Sequence, residues 1–196
     1  MNFLVFFSVA TLSFLIGFLV KLVDFIEDDL KVTKKNVFLK KISFPLGILY
    51  GLLISLVLII WPILFPLAVG TILGEVIAKK IDRKAHFIAL FIFILVYVFL
   101  TLSGVLNIAL NFYLTSLSVI FFIASLLDEM ADKYSEKFFH KNILIASLSF
   151  RPFLELTAFA VSLLLNEWII WITIFSFDLA YLLSTRILPK LFLKKV

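Results

Sequence analysis

The sequence predicts an all-α, polytopic integral membrane protein with about seven transmembrane helices. Hydrophobic residues make up 63% of the 196-residue chain and charged residues 16%, against about 45–50% and about 25% in soluble proteins. The mean hydropathy is +1.18, and several uncharged stretches reach the ~20 apolar residues that cross a bilayer. The absence of cysteine excludes a disulfide scaffold, a cysteine nucleophile and cysteine-bound zinc or iron–sulfur clusters.

Charge and proline define the first helices. Residues 1–20 carry no charge, which predicts the first helix. The next uncharged stretch, residues 42–74, would be ~50 Å long as a single helix, more than the ~30 Å hydrocarbon core. Because proline lacks an N–H and clashes in a helix interior, Trp61, Pro62 and Pro66 indicate that the chain turns back there.

Asparagine indicates the later reversals. The uncharged residues 87–127 are again enough for two helices, and Asn107 and Asn111 lie near the centre of this stretch. Asn166 and Glu167 separate the last two apolar segments. The predicted helices are therefore residues 1–20, 42–60, 63–80, 87–106, 109–127, 143–165 and 168–187.

Lysine and arginine lie on one side of this topology. Of the 18 basic residues, all except Arg151 lie in the last residues of the first, third, fifth and seventh predicted helices or in the segments that follow them. The positive-inside rule places these segments in the cytoplasm. We therefore expect a multi-pass cell-membrane protein with its N-terminus outside and its C-terminus inside. Anionic lipid headgroups account for the net charge of +5, and no nucleic-acid partner is needed.

Three short matches in the same order predict an internal repeat. The predicted plan is a first three-helix repeat with cytoplasmic loops (1–85), a linking transmembrane helix (86–106) and a second three-helix repeat (107–196). One linking helix makes the two repeats parallel, an arrangement known in transporters. The matched segments are Asp24–Asp28 with Asp128–Asp132, Ser43–Pro45 with Ser149–Pro152, and Ile60–Trp61 with Ile170–Trp171.

The two D-x-x-x-D motifs are the first candidate site. A spacing of four places Asp24 and Asp28, and likewise Asp128 and Asp132, on one helix face, where like charges repel by about 0.2–0.5 kcal/mol. A hard cation such as Mg²⁺ or Mn²⁺ would relieve that repulsion and bind substrate phosphates. The pair resembles the aspartate-rich motifs of intramembrane prenyltransferases, which implies a metal-bound diphosphate. The alternative is a charged helix extension at the membrane surface.

The second candidate site consists of charges predicted inside the membrane. Arg151 and Glu155 lie one turn apart in the sixth predicted helix, and Asp178 lies at a matching depth in the seventh. Charges within spans are costly and face the protein interior or a wet cavity. We assign these three residues a catalytic role, with Arg151 as a phosphate or carboxylate clamp, while Pro152 should kink the helix. The alternative is a structural salt bridge.

A third set of charged residues has helical spacing. Glu75, Lys79, Asp82 and His86 would share one face if the third helix continued beyond the membrane. Glu75, Asp82 and His86 are secondary site candidates. The alternative is a solvated helix face leading into the fourth helix.

These observations predict an integral membrane enzyme that acts at the cytoplasmic leaflet. Its substrate would be a phosphate- or diphosphate-bearing lipid or lipid precursor, such as an isoprenoid, with a divalent metal assisting a transferase-like reaction. The acidic residues support this, since all except Glu167 lie in the cytoplasmic half or its loops. One alternative is a small transporter with parallel three-helix repeats. Another is a non-catalytic membrane subunit. The oligomeric state is left open.

Overall fold

The structure is a computed structural model, and it describes residues 3–29, 37–104, 112–138 and 151–192. No strand occurs in these ranges, which confirms the all-α fold class. The α-helices they contain are α1 (Phe3–Asp24), α2 (Val37–Ile60), α3 (Phe65–Ile77), α4 (Lys84–Leu102), α5 (Phe112–Phe138), α6 (Pro152–Leu165) and α7 (Ile169–Phe192). A π-helical turn, Phe25–Asp29, continues α1, and a 3₁₀ turn, Pro62–Leu64, precedes α3.

Several helices have the length and composition of membrane spans. Their outward faces carry large exposed apolar side chains such as Phe3, Phe99 and Leu164, which suits a lipid-facing surface. The segments Pro62–Ile77 and Pro152–Leu165 are apolar but shorter. Within the described ranges, five helices are long and apolar enough to cross a membrane: Phe3–Asp28, Leu39–Ile60, Lys84–Leu102, Tyr113–Lys133 and Ile169–Phe192.

Two of the predicted reversals occur where proline and asparagine indicated them. Helix α2 ends at Ile60, and Pro62 begins the 3₁₀ turn that leads into α3. Helix α6 ends at Asn166, which has the left-handed φ of 56° that asparagine tolerates better than most residues. Asn107 and Asn111 lie outside the described residues.

The start of α6 differs from the prediction. Arg151 is the N-cap residue and Pro152 the first residue of α6, so the prediction of a kink at Pro152 is wrong. Proline is well tolerated at this position because the first helical N–H has no partner within the helix. Arg151 consequently lies at a helix end, where its side chain is 28% exposed. Residues 143–150 of the predicted helix lie outside the described residues.

Small residues bring the helices into close contact. The most extensive contacts pair α1 with α7, α3 with α5, and α2 with α4. A Cβ on Gly51 would lie 2.8 Å from the carbonyl oxygen of Ala89, and one on Gly70 would lie 2.6 Å from that of Ser118. Such small-residue contacts are typical of helix pairs in membranes, where close packing replaces the hydrophobic driving force.

The helix ends gather the charged residues at one end of the bundle, which we call the charged end. Asp24 near the end of α1 contacts His86 in the first turn of α4. Glu75 near the end of α3 contacts Arg151 at the start of α6. Asp128 in α5 reaches the same start of α6. The charged end is therefore where Asp24, Glu75, His86, Asp128 and Arg151 lie.

Candidate functional site

A cavity of about 530 Å³ extends from the charged end into the bundle. This volume lies within the ~300–1,000 Å³ range of ligand sites. Exposed residues of the loop between α3 and α4, including Asp82 and Arg83, lie at its rim. Its inner wall is apolar and is formed by residues that include Ile16, Ile54, Leu58, Leu67, Phe93 and Ile174. The cavity thus combines a charged rim with an apolar interior.

His86 lies at the centre of a hydrogen-bonded chain on the cavity wall. Its Nε2 is 2.8 Å from Asp24 Oδ1, and its Nδ1 is 2.6 Å from the Tyr50 hydroxyl. Tyr181 donates to the other Asp24 oxygen at 2.8 Å. Because an ionised carboxylate only accepts hydrogen bonds, Nε2 of His86 is the donor, and in a neutral ring Nδ1 then accepts from Tyr50. This arrangement suits proton transfer between Tyr50 and His86, with Asp24 orienting the ring.

Arg151 forms its ion pair with Glu75. Both residues line the cavity, and the guanidinium lies 6.0 Å from the centre of the Phe177 ring. Asp178 and Glu155, the other two residues of the second candidate site, do not form this ion pair. Asp178 is only 6% exposed, and its Oδ2 has no hydrogen bond to any described residue. Glu155 lies one turn into α6, and neither carboxylate is among the residues that line the cavity.

The first acidic motif lies at the cavity. Asp24 and Asp28 both line it, on either side of the start of the π-helical turn Phe25–Asp29. Asp28 Oδ1 accepts from Arg83 at 2.7 Å. The predicted pair of carboxylates therefore stands next to His86 and a basic loop.

The second acidic motif has different contacts. The Asp128 carboxylate accepts from the backbone N–H groups of Phe153 and Leu154, each at 2.8 Å. It thereby satisfies two of the N–H groups that a helix start leaves unpaired. Asp132 pairs with Lys80 at 3.1 Å. Neither aspartate is among the lining residues.

The metal assignment stays a prediction. In the described ranges, no group of three or more His, Asp or Glu side chains is arranged to hold a metal ion. The structure brings Asp24 and Asp28 to one cavity, whereas Asp128 and Asp132 contact α6 and Lys80. A Mg²⁺ or Mn²⁺ ion at this cavity would thus need ligand oxygens from its substrate.

The predicted stripe from Glu75 to His86 is divided between two helices. Helix α3 ends at Ile77, with Lys79 in the left-handed region at φ 61°, and α4 begins only at Lys84. The prediction of one continuous helical face is therefore wrong. Even so, Glu75, Asp82 and His86 all line the cavity.

Lys80 anchors the loop between α3 and α4 to α5. Its ammonium lies 3.2 Å from Glu129 Oε2 and 3.1 Å from Asp132 Oδ2. Partial burial acts to lower the pKa of Lys80, but the two carboxylates outweigh this and raise it above the usual value. The Lys80 side chain therefore stays positively charged beside the cavity.

Tyr50, Glu129 and Tyr181 line the cavity but were not singled out from the sequence. Tyr50 lies in the long uncharged stretch of α2, and its hydroxyl is the group of α2 that contacts the His86 ring, at 2.6 Å. A phenol within an apolar span was the one signal that pointed to it. Tyr181 follows Asp178 by three residues, so it lies on nearly the same face of α7.

Comparisons with protein-family models, curated proteins and solved structures found no match. Fold and cavity thus define the class of this chain. In the part of the chain that the structure describes, it is a helical bundle with apolar helices of membrane-spanning length, and it has an amphiphilic cavity at its charged end.

Proposed function

We propose that the chain is an integral membrane enzyme that acts on a phosphate-bearing lipid or lipid precursor. The observation that carries this proposal is the cavity, which has an apolar wall inside the bundle and a rim of charged groups. An amphiphile fits both parts, with its chains against the apolar wall and its headgroup among the charges.

The cations at the rim favour an anionic headgroup. Lys21, Lys80, Arg83 and Arg151 line the cavity, and the Lys21 ammonium lies over the Tyr181 ring, 5.0 Å from its centre. Lysine and arginine are the usual phosphate ligands of proteins, and the planar guanidinium suits bidentate binding. In this proposal Arg83 and Arg151 exchange part of their carboxylate contacts for the phosphate.

The chain of Tyr50, His86 and Asp24 supports acid–base chemistry on the headgroup. His86 would accept or return a proton while Asp24 holds its ring, and Tyr50 would relay that proton at the cavity wall. A Mg²⁺ or Mn²⁺ ion arriving with a diphosphate would need only one or two carboxylates from the protein. Asp24 and Asp28 are the proposed ligands.

We also propose the topology predicted from the sequence, with seven spans, the charged end in the cytoplasm and the N-terminus outside. The ends of α1 and α3 and the second half of α5 meet the starts of α4 and α6 at the charged end, which supports alternating helix directions. The parallel repeat has support of the same kind. The first helix of the first repeat, α1, packs on the third helix of the second repeat, α7. The first helix of the second repeat, α5, likewise packs on the third helix of the first repeat, α3. This exchange is expected for two equivalent repeats.

The test compares lipids that differ only in their phosphate. Purified protein in detergent is titrated with farnesyl phosphate against farnesol, and with dioctanoyl phosphatidic acid against dioctanoylglycerol, with and without Mg²⁺. Phosphate lipids should raise the melting temperature more than their phosphate-free partners, by mass action. Arg83→Gln should reduce this difference. Arg186→Gln should not, because Arg186 is exposed and does not line the cavity.

Turnover is tested separately by ³¹P NMR of the bound lipid. His86→Asn should abolish any conversion of the lipid while keeping its binding. Equal shifts with phosphate-bearing and phosphate-free lipids would contradict the proposed ligand. Phosphate-dependent binding without conversion would instead favour the transporter or the non-catalytic subunit.

A further inference from the structure

Two residues that line the cavity carry buried hydroxyls with no hydrogen-bond partner among the described residues. Ser13 on α1 is 2% exposed, and its Oγ is unpaired; the buried Oγ1 of Thr71 on α3 is unpaired too. Both residues line the cavity. We call Ser13 and Thr71 the inner hydroxyl pair.

Several other helical hydroxyls among the described residues are satisfied within their own helix. Ser55, Thr173 and Ser184 each donate to the carbonyl oxygen four residues earlier, at 2.9, 2.7 and 2.7 Å. Thr173 is informative because it lines the same cavity. The inner hydroxyl pair is thus not a general property of serine and threonine in these helices. Since buried polar groups are nearly always hydrogen-bonded, these two hydroxyls indicate a ligand group that accepts hydrogen bonds.

Their positions along α3 and α1 place Thr71 and Ser13 about one helical turn inside the Arg151–Glu75 ion pair. Thr71 precedes Glu75 by one turn of α3, a rise of about 6 Å. Ser13 precedes Gly17 by one turn of α1, and Gly17 packs on the backbone carbonyl of Phe177. The Phe177 ring in turn lies against Arg151. The ion pair and the hydroxyls therefore form two successive polar levels of the cavity.

We propose that the bound lipid is linked through glycerol, with its phosphate near Arg151 and its ester or ether oxygens at Ser13 and Thr71. This inference rests on the proposed function and specifies its substrate class. In a glycerol phosphate lipid only a few bonds separate the phosphate from the linkage oxygens, which matches the spacing of the two polar levels. An isoprenyl phosphate has only hydrocarbon at that depth and would leave both hydroxyls unpaired.

The experiment measures affinities for three phosphate lipids by native mass spectrometry of the detergent-purified protein. The probes are dioctanoyl phosphatidic acid, its dioctyl ether analogue and farnesyl phosphate. Ser13→Ala and Thr71→Val should each weaken binding of both glycerol lipids by roughly two- to tenfold, the range of one neutral hydrogen bond. Farnesyl phosphate should bind these variants and the parent equally well.

Two further variants separate hydrogen bonding from packing. Thr173→Val changes a hydroxyl in the same cavity that is already satisfied by Ile169, so it should leave all three affinities unchanged. Thr71→Ser keeps a hydroxyl and should retain glycerol-lipid binding. A larger loss for the ester than for the ether lipid identifies the carbonyl oxygen as the acceptor, and an equal loss identifies the linkage oxygen.

Two results would overturn the inference while leaving the proposed function intact. One is unchanged glycerol-lipid affinity in Ser13→Ala and Thr71→Val. The other is an equal loss for farnesyl phosphate, which would mean that the hydroxyls serve the fold. If none of the three phosphate lipids binds better than its phosphate-free counterpart, the proposed function fails and the inference fails with it.

Discussion

Asp24 accepts two side-chain hydrogen bonds at the cavity wall. Its two oxygens accept from His86 and Tyr181, both at 2.8 Å, and His86 continues the chain to Tyr50. Buried polar networks of this kind are stabilising when complete and costly when one member is removed. The same contacts that would prepare His86 for chemistry therefore also join α1, α2, α4 and α7.

Asp24→Asn should lower the melting temperature in detergent. The substitution removes the charge of a carboxylate that accepts two hydrogen bonds, and disturbing such buried groups costs about 1–3 kcal/mol. Asp82→Asn is the matched control, because the Asp82 side chain is 59% exposed and pairs with Arg83 only at 3.6 Å. Exposed pairs contribute little, so this variant should melt with the parent. Equal melting of both variants would show that the network does not stabilise the fold.

Arg151→Ala should be destabilising. It leaves Glu75 without its cation and removes a positive charge that acts on Asp178. Removing one partner of a fully buried pair typically costs about 3–5 kcal/mol, and we expect a smaller loss here because the pair is partly exposed. Arg151→Met combined with Glu75→Gln should recover part of the loss, as thermal unfolding would show. A melting temperature unchanged in Arg151→Ala would mean that Arg151 is available to a ligand rather than committed to Glu75.

At the scale of elements, Asp128 connects two helices. Its carboxylate caps the start of α6, with Phe153 and Leu154 as donors, although it belongs to α5. A cap supplied by another helix fixes where α6 begins and how it meets α5. The position of Arg151, one residue before α6, depends on this contact.

Asp128→Ala and Asp128→Asn separate the capping role from the predicted metal role. Alanine should destabilise the protein by about 1 kcal/mol. Asparagine should retain only part of the stability, because its single amide oxygen can accept from one of the two N–H groups and its NH₂ group cannot accept from the other. If Asp128 binds metal, both variants should lose any Mg²⁺-dependent rise in melting temperature. If it only caps α6, asparagine should keep that rise. Alanine as stable as the parent would contradict the cap.

At the scale of the whole molecule, the distribution of charge determines the proposed orientation. Basic residues follow the odd-numbered predicted helices, and the structure gathers Asp24, Glu75, His86 and Arg151 at one end of the bundle. A bilayer would then meet charge at one surface and almost none at the other. Membrane insertion favours the orientation in which lysine and arginine remain in the cytoplasm.

Single cysteines test this orientation cleanly, because the chain has no native cysteine. In intact cells, cysteines at Lys34 and Ser135 should be protected from a membrane-impermeant thiol reagent, and one at Asn166 should react. Permeabilised cells provide the control, since all three should then be labelled. Labelling of Lys34 and Asn166 from the same side would contradict the seven-span topology.

The sequence by itself determined the membrane class, the approximate helices and the reversals at Pro62 and Asn166, because hydropathy, proline geometry and asparagine conformation act locally. It also placed Asp24, Asp28, Glu75, Asp82, His86 and Arg151 among the candidates, and the structure brings these to one cavity. Segment boundaries were less certain, as Arg151 and Pro152 show at the start of α6.

Only the tertiary structure decided the partners. Asp24 and His86 are 62 residues apart in the chain and Arg151 and Glu75 are 76 apart, so no local pattern relates them. Which carboxylate meets which cation follows from the packing of α1 on α7 and α3 on α5, and close contacts such as that of Gly70 with Ser118 determine that packing. For the same reason Asp24 and Asp128, alike in sequence, differ in role: Asp24 lies next to a histidine in the cavity, and Asp128 lies at the start of a helix that needs a cap.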